Sequence, residues 1–296
     1  MSASARLLLV LVLSAASLDA QAQRPRKVFI SVDMEGISGV VDPAQLGPDG
    51  FEYQRAREWM TGEVNAAIAA VRASGPAEIV VCDSHGNGQS LLIDKVPDDV
   101  SIVRGFPRPL EMMQGIDETF AAALFIGYHA SEWTPGAVRG HTISSARLLG
   151  VKLNGNEVSE GIYNAALAGS FGVPIAFVSG DRLAVTQLQK AVPGVEGAIV
   201  KEPYGYHSAQ TVTPAKGQAL VREGVTRAMA KLGSLQPYRV SAPIALEVGF
   251  KLTIDAERAA FVPGLSRSDA HSVKGTFRDM PEITRLLQVL TSFSAP

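Results

Sequence analysis

The chain has 296 residues, of which 46% are hydrophobic and 19% charged, with a formal net charge of −2. That composition is ample for one large core, or for two domains that share a site. It supplies no basic field of the kind a nucleic-acid partner requires.

Residues 1–22 have the pattern of a secretory signal peptide. Arg6 gives a small positive start, and Leu7 to Ala16 form an apolar run too short to span a bilayer comfortably. Ala20-Gln21-Ala22 fits a small-x-small cleavage site, with a mature start near Gln23. The leader predicts export to the periplasm or beyond, with no membrane attachment after cleavage. Cys82 is the one cysteine, which excludes an internal disulfide. Its place in the apolar run Ile79 to Cys82 predicts a buried, unreactive thiol.

Strand and helix signals then alternate. Val28 to Val32 reads as a strand. Tyr53 to Ala73 reads as a helix, with Trp59, Val64, Ala67, Ile68 and Val71 at helical spacing and Gly75 as its stop. Strands are predicted over 78–82, 101–104, 121–126 and 147–153, with a short helix over 109–114. Asn154-Gly155-Asn156 reads as a hairpin turn. A helix over 157–168, a strand over 174–178, a helix over 182–191 and a strand over 198–201 follow. Beyond about residue 205 the pattern changes to a long helix over 214–232, strands over 238–250, 251–254 and 272–277, and a closing helix over 281–293.

Continuous apolar strands between amphipathic helices predict an α/β fold, a mostly parallel sheet flanked by helices, with a smaller C-terminal α+β region. The expected organisation is a catalytic α/β domain over 23–205 with the smaller region, 206–296, packed on it. In such sheets ligands bind at the carboxyl ends of the strands. The polar residues are concentrated there. Asp33 and Glu35 end the first strand, Asp83 and His85 follow the second, His129 follows the third, and Asp181 follows the strand over 174–178.

Asp33 and Glu35 are two apart, so on extended backbone both carboxylates point to the same side. Such a pair repels itself and resists desolvation unless a cation joins it. His85, His129, His141 and Glu160 would complete a mixed carboxylate and imidazole set. That set suits zinc, manganese or iron better than calcium. Glu160 also opens a helix, where a solvated first-turn acid is the lesser alternative reading. His141 sits in a loop without apolar periodicity, as an acid, a base or a transition-state stabiliser, or as a plain exposed histidine. Asp83 reads as a partner of a ligand or as a turn cap, Lys201 and Asp181 as substrate contacts or surface charges, and His207 and His271 as surface or structural. A metal pair of this type points to hydrolysis. Ligand types alone leave open a peptidase, a phosphoesterase or a non-catalytic metal or peptide binder.

Ser31-Val32-Asp33-Met34-Glu35-Gly36, Asp83-Ser84-His85, Gly127-Tyr128-His129-Ala130, Thr134-Pro135-Gly136, and Glu160 with Asn164-Ala165 occur in this order. Together they resemble the zinc-dependent D-aminopeptidase family, from about Lys27 through Arg182. The resemblance implies two zinc ions per subunit on Asp33, Glu35, His85, His129 and Glu160, with Asp33 bridging. It implies a catalytic histidine at His141, although the loop from His129 to His141 is slightly longer than the family pattern. It also implies a ring-shaped homodecamer acting on short peptides with an amino-terminal D-residue, notably D-alanine.

Overall fold

The computed structural model describes residues 25–292; the leader predicted over 1–22 lies outside them. Its first sheet contains β1 (Arg26–Val32), β2 (Ala77–Asp83), β3 (Ser101–Val103), β4 (Phe120–Tyr128), β7 (Ile175–Asp181), β8 (Glu196–Gly205) and β9 (Ser208–Thr211). The order is β3-β2-β1-β4-β7-β8-β9, parallel throughout except that β9 turns back antiparallel on β8. The second sheet is antiparallel, in the order β11-β12-β10-β5-β6. Its strands are β5 (Leu148–Leu153), β6 (Asn156–Val158), β10 (Ile244–Phe250), β11 (Leu265–Arg267) and β12 (Ser272–Phe277). The helices are α1 (Tyr53–Ala73), α2 (Glu160–Ser170), α3 (Arg182–Ala191), α4 (Pro214–Ala230), α5 (Thr253–Ala259) and α6 (Met280–Ser292). Among the described residues, no helix is long and apolar enough to cross a membrane.

The apolar run of β1 is explained by burial on both faces. Val28, Ile30 and Val32 pack with Met60 and Val64 of α1 and Val221 and Val225 of α4. Phe29 points the other way, into a core shared with Phe125, Tyr163 of α2, Val151, Val248 and Leu287 of α6. The antiparallel sheet draws β5 and β6 from before residue 205 and β10 to β12 from after it, so the two sheets interleave along the chain. The hairpin joining β5 to β6 carries Asn154 and Gly155 with φ of +49° and +79°, the geometry a two-residue type I′ turn needs.

The structure departs from the sequence expectation at specific places. The helix expected from residue 157 begins at Glu160, because residues 156–158 pair with β5 as β6. Residues 251–254, expected as a strand, lead into α5. The strand expected from residue 238 starts only at Ile244, immediately after Pro243. The helix expected over 109–114 is a single 3₁₀ turn at Glu111–Met113. Strands β9 and β11, each short, had no counterpart in the sequence reading.

The chain runs from β1 outward to β2 and β3, then returns across β1 to start β4 on the other side. That reversal opens a crevice at the carboxyl ends of β1 and β4. The backbone there is closely packed. The Gly36 N–H donates to Gly127 O at 2.7 Å, and a Cβ on Gly36 would lie 2.1 Å from Tyr128 O. Replacing Gly36 by alanine is therefore expected to destabilise the fold by about 3 kcal/mol, the upper end for overpacking. A urea unfolding midpoint unchanged from the parent would contradict this packing.

Candidate metal centre

The chain leaving β1 keeps strand pairing past its end. Asp33 N–H donates to Ile126 O and Ser84 N–H to Val32 O, each at 2.9 Å. These bonds fix the backbone that carries Asp33 and the loop that carries His85. His129 follows β4 directly. Glu160 is the first residue of α2, whose Ser159 cap accepts from Ile162 N–H. It is only 3% exposed, so it is no solvated first-turn acid. Its Oε1 accepts the Ile143 N–H at 2.7 Å.

These residues meet in one place. His85 Nδ1 lies 3.2 Å from Asp33 Oδ1 and 2.8 Å from Glu35 Oε2. His129 Nε2 lies 3.3 Å from both Asp33 Oδ2 and Glu160 Oε2. His141 Nε2 lies 3.4 Å from Glu160 Oε1, and its ring stacks on His129 at 4.1 Å between centroids. Asp33 thus spans two halves, with one oxygen toward His85 and the other toward His129. All of them except His129 line a cavity of ≈ 450 Å³, with His129 buried beneath.

Each imidazole spends its other nitrogen on the backbone. His85 Nε2–H donates to Leu46 O at 2.7 Å, His129 Nδ1–H to Ala130 O at 3.0 Å, and His141 Nδ1–H to Arg139 O at 2.8 Å. This fixes which nitrogen faces the acids, as ligand histidines require. Asp33 Oδ2, Glu35 Oε2 and His129 Nε2 are buried close to one another with no hydrogen bond of proper geometry. Unpartnered acceptors this close demand a proton or a metal ion between them. One ligand atom from each of Asp33, Glu35 and His129 falls within 4.8 Å of the others, and so does one from each of His129, His141 and Glu160. The donor set fits zinc: oxygen and imidazole ligands, tautomers already fixed, charge to be neutralised.

The electrostatics agree. Burial is the largest influence on Asp33 and pushes it up, but hydrogen bonds and charge from His129 and His85 outweigh it and hold it well below the usual carboxylate range. Burial would push His85 and His129 down. The facing acids, Glu35 first for His85 and Glu160 first for His129, raise both well above the ordinary imidazole value. His141 differs. Burial, and then the charge of His129, push it down, so it is a neutral base near pH 7.

A second layer holds these groups. Behind Asp33, Ser31 Oγ bonds to Ser84 Oγ at 2.8 Å and to Tyr128 Oη at 2.7 Å, and Asn164 donates to Tyr128 Oη at 3.1 Å. Glu63 of α1 accepts from the Ser38 N–H at 2.9 Å and Ser38 Oγ at 2.6 Å. Lys201 of β8, fully buried, donates to Glu35 O and to Val40 O. Glu63 and Lys201 therefore pin the loop that carries Glu35. Sequence reasoning missed Glu63, although it falls on the buried stripe of α1 between Met60 and Val64, where an acid is out of place.

Lys201 and Asp181, considered as substrate contacts, do not line the cavity. Asp181 caps α3, accepting from Leu183 and Ala184 N–H. Asp83 is the turn cap of its two readings, with Oδ2 accepting the Leu91 N–H at 2.7 Å. Cys82 is buried, its thiol pushed up to about 11 by burial. His207 is exposed, and His271 is half-buried immediately before β12.

Burial pushes Lys201 down to about 8, against the pull of Asp181 and Glu63. A lysine depressed on folding costs stability below its folded value, and that cost vanishes above its unfolded value of 10.5. The wild-type protein should thus gain about 3 kcal/mol relative to Lys201→Met between pH 7 and pH 10.5. Denaturant unfolding of the pair at both pH values measures this; a difference independent of pH would contradict it.

Comparison with known proteins shows the family of this chain. The D-aminopeptidase family model matches residues 26–289. A D-aminopeptidase of Bacillus subtilis (strain 168) is 32% identical over 272 residues, covering 90% of this chain and 97% of that protein. A solved structure, described as the Zn-dependent D-aminopeptidase DppA from Bacillus subtilis, a self-compartmentalizing protease, superposes with a TM-score of 0.86 at 32% identity. It covers 90% of this chain and 100% of that one. With its fold, its crevice of acids and imidazoles, and a family match across nearly all of the described residues, the chain belongs to the D-aminopeptidase family.

Proposed function

We propose that this protein removes amino-terminal D-residues, D-alanine foremost, from short peptides at a site that holds two zinc ions. The observation that carries the reading is the convergence of Asp33, Glu35, His85, His129 and Glu160 within 2.8–3.3 Å contacts, with Asp33 Oδ2, Glu35 Oε2 and His129 Nε2 buried and lacking partners. Asp33, Glu35 and His85 would hold one ion, and His129, Glu160 and the second oxygen of Asp33 the other. When bound, zinc supplies Lewis acidity toward a peptide carbonyl and makes a water acidic near neutral pH.

The remaining chemistry belongs to side chains. His141 lines the cavity, and its Nδ1–H is committed to Arg139 O, so Nε2 is the atom available for a proton. Its depressed basicity keeps that atom free near neutral pH. It takes the proton of the attacking water and returns it to the leaving amine. Glu160, 3.4 Å away, and the stacked ring of His129 hold it in place.

Metal analysis of the purified protein, paired with a panel of D- and L-aminoacyl substrates, tests this. The expected result is stoichiometric zinc, release of D-alanine, and none of L-alanine. Release of the L-isomer, or full turnover after exhaustive chelation, would overturn it. The proposal includes assembly as a homodecamer, read by sedimentation, and export after cleavage near Gln23, read by sequencing the mature amino terminus. The relative described as self-compartmentalizing supports the first, and the leader pattern of residues 1–22 supports the second.

A further inference from the structure

The cavity wall carries one more acid that the chemistry above leaves unused. Glu111 sits in the 3₁₀ turn Glu111–Met113 and is 7% exposed. Its backbone is fixed from both sides: its N–H donates to Arg108 O at 3.1 Å, and Gln114 N–H donates to Glu111 O at 3.2 Å. The side chain is thereby held on the cavity wall, on the same cavity as Asp33, Glu35 and Glu160.

Among the described residues no cation forms an ion pair with it. The neighbouring Arg108 acts on it by charge alone, and its terminal nitrogens are engaged elsewhere. Its guanidinium lies 3.7 Å over the Phe106 ring, and it donates to Cys82 Sγ at 3.3 Å and Asp83 O at 2.9 Å. Among the described residues the Glu111 carboxylate makes no hydrogen bond or ion pair; the charge of Arg108 favours its ionised form, and burial and the like charge of Glu160 oppose it. Burial accordingly pushes it up to about 7. A buried, unpartnered acid facing a ligand cavity is costly unless a cationic ligand completes it. The one obligatory cation of an aminopeptidase substrate is the ammonium group of its first residue, with three N–H donors.

We propose that Glu111 receives the α-ammonium group of the substrate and so restricts cleavage to the first peptide bond. This rests on the peptidase reading above. Glu111 shares the cavity with the metal ligands and feels the charge of Glu160, so an amine paired there seats the amino end of the peptide at the metal centre, whereas an acylated or internal amide brings no charge to pair. Glu111 acts in substrate binding, apart from the proton transfer assigned to His141.

The test compares wild type with Glu111→Gln. The substrate is a D-alanyl dipeptide, and the competitor is its des-amino (propionyl) analogue. Zinc content and thermal unfolding are followed alongside. Glu111→Gln should keep its zinc, raise KM by about 10–100-fold, the worth of a charged hydrogen bond, and leave kcat within a few-fold. The preference for the free amine over the propionyl analogue should collapse. An unchanged KM with the preference intact would overturn the proposal, as would a fall in kcat with KM unchanged. Glu111→Asp, which keeps the charge but shortens its reach, should give an intermediate KM. It carries the same decision if Glu111→Gln does not fold. Wild-type protein that turns over no D-aminoacyl peptide would remove the peptidase reading itself, and this inference with it. Active wild type with an indifferent Glu111→Gln removes this inference alone.

Discussion

Replacing His141 by alanine is expected to lower kcat by about 10²–10⁴-fold, the range of a lost general acid–base, with zinc content unchanged. The expectation follows from where each nitrogen points. His141 Nδ1 is committed to a backbone carbonyl, and Nε2 faces Glu160 across the cavity. Yet His141 also belongs to a triad, with His129 and Glu160, whose ligand atoms lie within 4.8 Å of one another. A histidine placed this way can move protons or hold an ion, and the two roles separate cleanly by experiment. A proton carrier can be removed without loss of metal. A ligand cannot. Activity and zinc stoichiometry measured on the same preparation of His141→Ala decide between them. Full zinc with lost turnover supports the catalytic role. Zinc falling in step with activity would make His141 a ligand, and surviving activity would remove it from the chemistry altogether.

Asp33→Asn should have the larger effect on metal. Asp33 is the acid that faces both halves of the centre, Oδ1 toward His85 and Oδ2 toward His129. Its carboxyl, held well below the usual range, is the one acid that both imidazoles share, beside Glu35 for His85 and Glu160 for His129. Asparagine keeps the shape but removes the charge and offers an N–H₂ donor where an acceptor is needed. Metal affinity should fall by more than the about 10–100-fold typical of losing a supporting hydrogen bond, and activity with it. The metal-free protein should also lose stability, about 3–5 kcal/mol, because two buried imidazoles lose a shared counter-charge. Zinc content, and thermal unfolding with and without chelator, read both effects. Retained zinc at full stoichiometry would exclude Asp33 as a bridge.

Much of this was legible from residue order. The fold class followed from apolar runs such as Val28 to Val32, buried on both faces because helices cover both. The boundaries of α1 followed from helical spacing and from Gly75, and α3 matches the helix expected over 182–191. What failed was local. Residues 156–158 carry no alternating pattern and become β6 only because β5 is there to pair with them. Residues 253–259 form α5, packed against β10 and β12 of the antiparallel sheet, a cover which no single segment announces. Asp33, Glu35, His85 and His129 could be named because they follow strands; Glu160, at a helix start, and His141, in a loop, took their roles from the family resemblance. The supporting groups could not. Lys201 looked like a charge at a strand end and is a buried clamp on the Glu35 loop; Glu111 fell unremarked within the short helix expected over 109–114 and is an unpartnered acid on the cavity wall. Their roles depend on contacts between segments more than a hundred residues apart in one case, and on what a neighbouring arginine does instead in the other.

Anomalous diffraction at the zinc edge, on crystals of the zinc-loaded protein, tests the centre most directly. The account predicts two peaks, one beside Asp33, Glu35 and His85 and the other beside His129 and Glu160, with Asp33 touching both. A single peak, or peaks away from these side chains, would contradict it.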